Sequence, residues 1–139
     1  MRAHVKRLHR GDDILLALSE LAREHDIRAG AVVCAVGCVL RARIRDASGV
    51  TVHELDEHME IVSMTGTISR QRSHVHIALA GEDMAVIGGH MLEGCIVNTT
   101  CELAVLELEG WSIGEEYDTD TGYGEARFTF QTAAGGERH

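Results

Sequence analysis

The spacing of apolar residues changes at Gly30, and no other feature of the sequence constrains the fold as much. Before this glycine, a Gly-Asp-Asp triplet supplies a helix start with an N-cap aspartate. Ile14, Leu18 and Leu21 then recur at helical spacing. We therefore predict one long, amphipathic N-terminal helix over residues 12–25.

Beyond Gly30, β-branched and alternating apolar runs are bounded by turn residues, a pattern typical of strands. The segments 47–49 (Ala-Ser-Gly) and 81–83 (Gly-Glu-Asp) favour hairpin turns and hence antiparallel pairing. The predicted strands cover residues 31–40, 42–46, 50–55, 59–69, 73–80, 84–87, 95–108 and 125–132. One helix followed mostly by strands predicts an α+β domain with a largely antiparallel sheet, and a second short helix is expected to start near Gly89.

Length and composition indicate one ordinary globular domain. The chain has 139 residues, of which 45% are hydrophobic and 25% charged, so neither disorder nor a fibrous repeat is indicated. We assign residues 1–132 to a single domain and residues 133–139 to a flexible C-terminal tail. The longest apolar run is too short to span a bilayer and no signal-peptide pattern opens the chain. A cytoplasmic protein without a membrane partner is therefore expected.

The formal net charge of −9 argues against a strong electrostatic grip on nucleic acid. A local basic patch could still bind nucleic acid. Three arginines share one face of the strand that ends near residue 46, and further cations lie near the N-terminus. These residues are Arg2, Lys6, Arg7, Arg10, Arg41, Arg43 and Arg45. They could track phosphates, or they could form the solvated face of a strand. The acidic segment 115–122 does not match an EF-hand loop and is predicted to be a solvated loop.

Three histidines form the most informative constellation in the sequence. Residues two apart in a strand project from the same face, so His74 and His76 stand together, opposite the apolar residues between and after them. A hairpin returns the chain, and paired glycines before His90 permit a tight backbone that brings it towards His76. Three neutral imidazoles at one point are the ligand set of an open zinc site, although other divalent metals also accept imidazole. The alternative is a hydrogen-bonded polar cluster without a metal.

Carboxylates elsewhere in the chain suggest a chemistry for such a site. A metal-bound water becomes a nucleophile when a carboxylate accepts its proton. Glu102, which interrupts an apolar strand, is the candidate catalytic residue, and Glu60 is a second candidate; each could instead be a structural ion pair or an exposed strand residue. Arg70 and Arg72 precede His74 and could hold an anionic ligand or be solvated loop charges. A metal-dependent, hydrolase-type activity on a small molecule is one function of such a site.

Three segments resemble the plants-and-prokaryotes-conserved (PPC) domain family. They are residues 74–80 (HVHIALA), 86–97 (VIGGHMLEGCIV) and 100–105 (TCELAV), and the resemblance extends over about residues 1–130. It implies an α+β fold that assembles as a homotrimer. It also implies that His74, His76 and His90 match a metal site found in some prokaryotic members.

The same resemblance brings a DNA-binding hypothesis. Prokaryotic members are often labelled predicted DNA-binding proteins, and plant members carry the domain beside an AT-hook, a basic Arg-Gly-Arg-Pro element that enters the minor groove. This chain contains no such element and no proline. Three hypotheses follow: a trimeric metal-binding protein that acts on or senses a small molecule, a DNA-associated regulatory protein, and an oligomerisation module with a structural metal.

Overall fold

The chain forms an α+β domain dominated by antiparallel strands. A computed structural model describes residues 1–131 and 137–138, and for the last two the backbone alone. The elements are β1 (Arg2–His9), α1 (Ile14–Glu24), β2 (Gly30–Arg45), β3 (Val52–Leu55), β4 (Met59–Ile68), β5 (Ser73–Ala80), β6 (Val86–Met91), β7 (Ile96–Glu107), β8 (Trp111–Asp118), β9 (Tyr123–Gln131) and β10 (Glu137–Arg138). The predicted α+β class and antiparallel sheet are confirmed. The predicted tail, residues 133–139, lies outside the described residues except for β10.

The helix α1 begins at the predicted cap. Asp13 Oδ1 accepts hydrogen bonds from the backbone N–H groups of Leu15 and Leu16, at 3.0 and 3.2 Å. Leu18, which is fully buried, lies on the apolar face that packs against the sheet. The helix lies within the predicted residues 12–25, but it has only eleven residues and follows strand β1, so the prediction of a long helix as the N-terminal element is wrong. No helix among the described residues is long and apolar enough to cross a membrane.

Two long strands, β1 and β8, lie where the sequence predicted none, as does the two-residue strand β10. Strand β1 pairs with β7 along its whole length, although only His4 and Leu8 of its eight residues are buried. Strand β8 pairs with β9 and takes in the first part of the acidic segment that was predicted to be a loop. Both strands are held mainly by backbone hydrogen bonds to a neighbouring strand, and few of their side chains are buried. Their sequences therefore lack the alternating apolar pattern from which a strand is predicted.

The predicted second helix near Gly89 is also wrong, because this segment is strand β6. A Cβ atom added to Gly88 would overlap the carbonyl oxygen of Ile77 on β5, and one added to Gly89 would lie 2.6 Å from the carbonyl oxygen of Arg45 on β2. The two glycines therefore serve close strand approach on both sides of β6 rather than a turn or a helix start.

The strands close part of the large sheet into a ring. Its order is β1-β7-β2-β4-β5-β6, with β3 beside β2, while β8, β9 and β10 form a separate sheet. Strand β6 pairs with β5 on one side and with the far end of β2 on the other, so β2, β4, β5 and β6 are linked in a circle. The two strands predicted over residues 31–46 are one continuous strand. It contacts β7 with register shifts between Val32 and Cys34, Gly37 and Val39, and Val39 and Arg41.

The core fills the inner side of this ring. Helix α1 and the inward residues of the sheet form one cluster, in which Val39, Leu79 and Val97 are fully buried. The β8–β9 hairpin is tied to the large sheet by a 2.9 Å hydrogen bond from the backbone N–H of Ile113 to the carbonyl of Arg28. Polar side chains of β5 and β6 are therefore left on the outer face, where the hairpin approaches them.

Candidate metal centre

His74, His76 and His90 converge on the outer face of β5 and β6. His76 lies directly opposite His90 in the register of the two strands, and His74 lies two residues earlier on the same face. One ring nitrogen of each histidine lies within 4.8 Å of those of the other two. The ring centroids are 5.1 to 5.5 Å apart. The cluster expected from the sequence is thus present.

Strand alternation and glycine packing fix the backbone of this cluster. Val75 and Ile77 are 1% and 2% exposed, which confirms that the apolar residues of β5 face the core and the histidines face outward. Gly66 on β4 lies opposite Val75, and a Cβ atom there would lie 2.8 Å from the Cα atom of Val75. Because β4 and β5 approach so closely between His74 and His76, the backbone positions of these two histidines are fixed by paired strands.

Two of the three histidines have a lowered pKa. Partial burial, which disfavours the imidazolium, lowers the pKa of His90 to about 4, and the nearby charge of Arg45 acts in the same direction. Burial is also the main cause that lowers the pKa of His74, followed by the charges of His76 and Arg72, while Glu125 opposes them. Neutral imidazole is the form that binds a metal, so the lowered pKa values of His74 and His90 favour metal binding.

The donor set fits a divalent ion. Zinc–nitrogen bonds of about 2.0–2.1 Å place the ligands of a tetrahedral site roughly 3.4 Å apart. The 4.8 Å limit on the present nitrogen separations is wider, so the rings would have to rotate about their side-chain bonds to bind an ion. The Nδ1 atom of His90 is buried and has no hydrogen-bond partner, which leaves it free to bind an ion or a ligand. No further histidine, cysteine or carboxylate of the described residues joins the group, so an ion there would keep an open position.

Two hollows flank the histidines. We call the larger one the arginine hollow; it lies between the histidine face and the β8–β9 hairpin and has a volume of about 250 Å³. The arginine hollow is lined by Arg45, Arg72, His74, His90, Glu115, Tyr123, Gly124 and Glu125. The second hollow, of about 240 Å³, is lined by His74, His76, Thr65, Gly66 and Thr67. Both give a small molecule access to the cluster.

The structure brings one of the other predicted site residues to the histidines. Arg72 lines the arginine hollow, where its Nη1 donates to the Glu115 carboxylate at 2.9 Å. Glu102 is exposed on β7, opposite Arg7 and Val36, and lines neither hollow. The role of Glu102 as a base stays a prediction.

Glu60 and Arg70 also lie away from the histidine cluster. Glu60 is exposed on β4, opposite Cys38 and Ala80. Arg70 forms an ion pair with Asp26. Neither residue lines the hollows beside the histidines.

The predicted arginine stripe is present, but most of it is paired. Ala42 and Ile44 are buried, so Arg41, Arg43 and Arg45 do share the outer face of β2. Arg41 pairs with Asp56 at 3.0 Å, and Arg43 pairs with Glu54 at 3.2 Å. Two of the three charges are therefore engaged by carboxylates on or beside β3, which weakens the stripe as a track for phosphates.

Several residues of the arginine hollow were missed by sequence reasoning. Arg45 was grouped with the stripe, and Glu115, Tyr123 and Glu125 were not recognised as site residues. Their proximity depends on the β2–β6 pairing and on the β8–β9 hairpin, contacts between distant parts of the chain that no local pattern signals.

The fold and the cluster together define a small α+β domain with a three-histidine site on the outer face of its sheet. The family model of the Plants and Prokaryotes Conserved (PCC) domain matches residues 1–109, and the chain belongs to this family. The family resemblance found in the sequence is thereby confirmed. The chain is also 31% identical over 123 residues to the bifunctional protein GlmU of Synechococcus sp. (strain JA-2-3B'a(2-13)). The match covers 88% of the chain but only 20% of that relative, so the chain spans about a fifth of its length.

Solved structures share the fold over nearly the whole chain. A hypothetical protein from Salmonella enterica has a TM-score of 0.90 at 26% identity, covering 94% of this chain and 95% of its own. A metal-containing protein from Archaeoglobus fulgidus has a TM-score of 0.78 at 29% identity, covering 91% and 94%. A candidate DNA-binding protein from Bacteroides thetaiotaomicron has a TM-score of 0.81 at 25% identity, covering 91% of each chain.

Proposed function

We propose that this chain binds one divalent metal ion, zinc by its ligand chemistry, at His74, His76 and His90. The observation that carries the proposal is the set of three ring nitrogens within 4.8 Å of one another. Three neutral imidazoles with an open position are typical of zinc sites that act on a ligand, whereas structural zinc sites are closed by four protein ligands. The similar Archaeoglobus fulgidus protein, which is described as metal-containing, supports a metal.

The open position favours a role in which the ion meets a small molecule. When bound, zinc supplies a Lewis acid that polarises an oxygen of the ligand. The flanking hollows supply the room for that ligand. Hydrolysis also requires a base. Because Glu102 lines neither hollow, we propose it as the base only if assembly brings it to the histidine site of another copy of the chain.

Elemental analysis of protein purified without added metal tests the proposal. We expect about one zinc ion per chain, because the strands hold the three imidazoles together before binding. Zinc well below stoichiometric amounts, with no other divalent metal in its place and none taken up on titration, would contradict it.

We propose that the chain assembles with copies of itself, as the homotrimer that its family resemblance implies. Valines lie exposed on three strands of the large sheet: Val5 is 77% exposed, Val33 and Val36 are each 60% exposed, and Val62 is 55% exposed. Several exposed aliphatic side chains on one sheet indicate an interaction surface rather than a solvated face. Glu102 lies opposite Val36, so such a contact would include it.

Size-exclusion chromatography with light scattering tests this assembly. The wild-type chain is expected to elute as a trimer at micromolar concentration, and Val36→Glu to shift it towards the monomer, because the interface would bury an unpaired charge. Val50→Glu is the matched control, since Val50 is 79% exposed and lies beside the turn before β3. A monomeric wild-type chain would contradict the assembly.

DNA association is the weaker alternative. It is supported by the description of the similar Bacteroides thetaiotaomicron protein. The net charge of −9 and the carboxylate partners of Arg41 and Arg43 oppose it. No contact among the described residues favours DNA over a small molecule at the histidine face.

A further inference from the structure

Three residues that line the same hollow each carry a buried side-chain nitrogen that lacks a hydrogen-bond partner. The nitrogens are Nε of Arg45, Nε of Arg72 and Nδ1 of His90, and no other side-chain nitrogen or oxygen of the described residues is buried and unpaired. Buried donors are normally hydrogen-bonded, and leaving one unpaired destabilises the protein. His90 Nδ1 would be satisfied by a metal ion, but a guanidinium cannot bind one. The two arginine nitrogens therefore indicate a further ligand.

Arg72 is held in place by the hairpin. Its Nη1 donates to the Glu115 carboxylate at 2.9 Å and to the carbonyl oxygen of Gly124 at 2.6 Å. The side chain is only 16% exposed, so these two contacts fix the guanidinium at the wall of the arginine hollow. The guanidinium is therefore already ordered before a ligand arrives.

Arg45 differs from its neighbours on the strand in its ion pairing. On the same strand face, Arg41 and Arg43 each have a carboxylate within 3.2 Å, whereas Arg45 forms no ion pair with any of the described residues. The register of β2 and β3 explains the difference, since Arg43 lies opposite Glu54 and Arg45 lies opposite Val52. A partly buried guanidinium without an anion is unfavourable, and its planar fork matches a carboxylate or phosphate.

The charge balance links this ligand to the metal. Arg45 and Arg72 are offset by Glu115 and Glu125, which also line the arginine hollow, so the protein side chains alone give it no net charge. A divalent ion on three neutral imidazoles leaves an excess of two positive charges, which favours an anion. This inference therefore rests on the proposed metal site.

We propose that the arginine hollow binds a small molecule through an oxyanion, a carboxylate or a phosphate group, which accepts hydrogen bonds from Arg45 and Arg72 beside the histidine-bound metal. The ligand class is a small organic acid or a phosphorylated metabolite. The hollow, of about 250 Å³, is suited to one such group and not to a polymer. The arginines select for the anion, and the ion adds a second point of attachment.

Calorimetric titration of the zinc-loaded protein with inorganic phosphate and, separately, with succinate tests the proposal. Binding of at least one anion is expected, and the tighter of the two identifies the group. Arg45→Gln is expected to weaken that binding about 10- to 100-fold, the effect of losing a charged hydrogen bond. Arg41→Gln, which removes the same charge from the same strand face outside the hollow, should leave the affinity unchanged.

Zinc content, measured on every sample, separates this inference from the metal proposal. If the wild-type chain holds zinc but binds neither anion at millimolar concentration, or if Arg45→Gln binds them as tightly as the wild type, the anion site is overturned and the metal site stands. If the wild-type chain holds no metal, both fall. Should Arg45→Gln fail to fold, Arg45→Lys keeps the charge but loses Nε and the fork, and unchanged affinity in that variant would equally overturn the proposal.

Discussion

Replacing His90 with alanine is expected to reduce the zinc content of the purified chain from about one ion to nearly none. His90 is paired with β5 on one side and with β2 on the other, so its ring position is set by two neighbouring strands. Loss of an outer-shell partner of a metal ligand typically weakens metal binding about 10- to 100-fold, and removal of a ligand itself has a larger effect. Competition with a chromophoric chelator measures the change in Kd.

The control for this variant is another histidine. His58 is exposed, precedes β4 and belongs to no metal-like cluster among the described residues, so His58→Ala should keep full zinc content. Circular dichroism separates loss of the ion from loss of the fold. A folded His90→Ala chain that still held stoichiometric zinc would show that the ligand assignment is wrong.

The part of the site that the sequence could predict is the part that depends on one strand. In β5 the apolar residues alternate with histidines and alanines, and alternation in an extended backbone assigns each residue to a face without knowledge of any other strand. The bounds of β5, Ser73–Ala80, agree with the predicted strand for the same reason. His74 and His76 were therefore placed correctly relative to the core.

The part that the sequence could not predict depends on contacts between distant segments. A Gly-Gly pair is compatible with a turn, a helix start or a crowded strand, and only the backbones of Ile77 and Arg45 on either side decide for the strand. The three arginines of β2 are indistinguishable by spacing. Their different environments arise from the β2–β3 register, which gives Arg43 a glutamate and leaves Arg45 with a valine.

Gly37, where the register of β2 against β7 shifts, is the second position with a large expected effect on mutation. Gly37 has a φ of +152°, and an added Cβ atom would overlap the carbonyl oxygen of Thr100 and lie 2.8 Å from the Cα atom of Cys101. Both contacts are backbone atoms of β7, which cannot rotate away. Strain of about 1–3 kcal/mol from the backbone conformation and a further penalty of about 1–3 kcal/mol from overpacking should therefore act together.

Gly37→Ala is accordingly expected to lower the free energy of unfolding by about 3 kcal/mol or more, measured by urea unfolding at fixed protein concentration because assembly would shift the midpoint. Gly114→Ala is the matched control: Gly114 has no positive φ and no neighbouring atom within 4 Å of an added Cβ, so a change within about 0.5 kcal/mol is expected. Gly37 also precedes the part of β2 that carries Arg45 to β6. A residual folded population of Gly37→Ala should therefore bind zinc more weakly. Equal free energies of unfolding for Gly37→Ala and Gly114→Ala would show that β2 relaxes at Gly37.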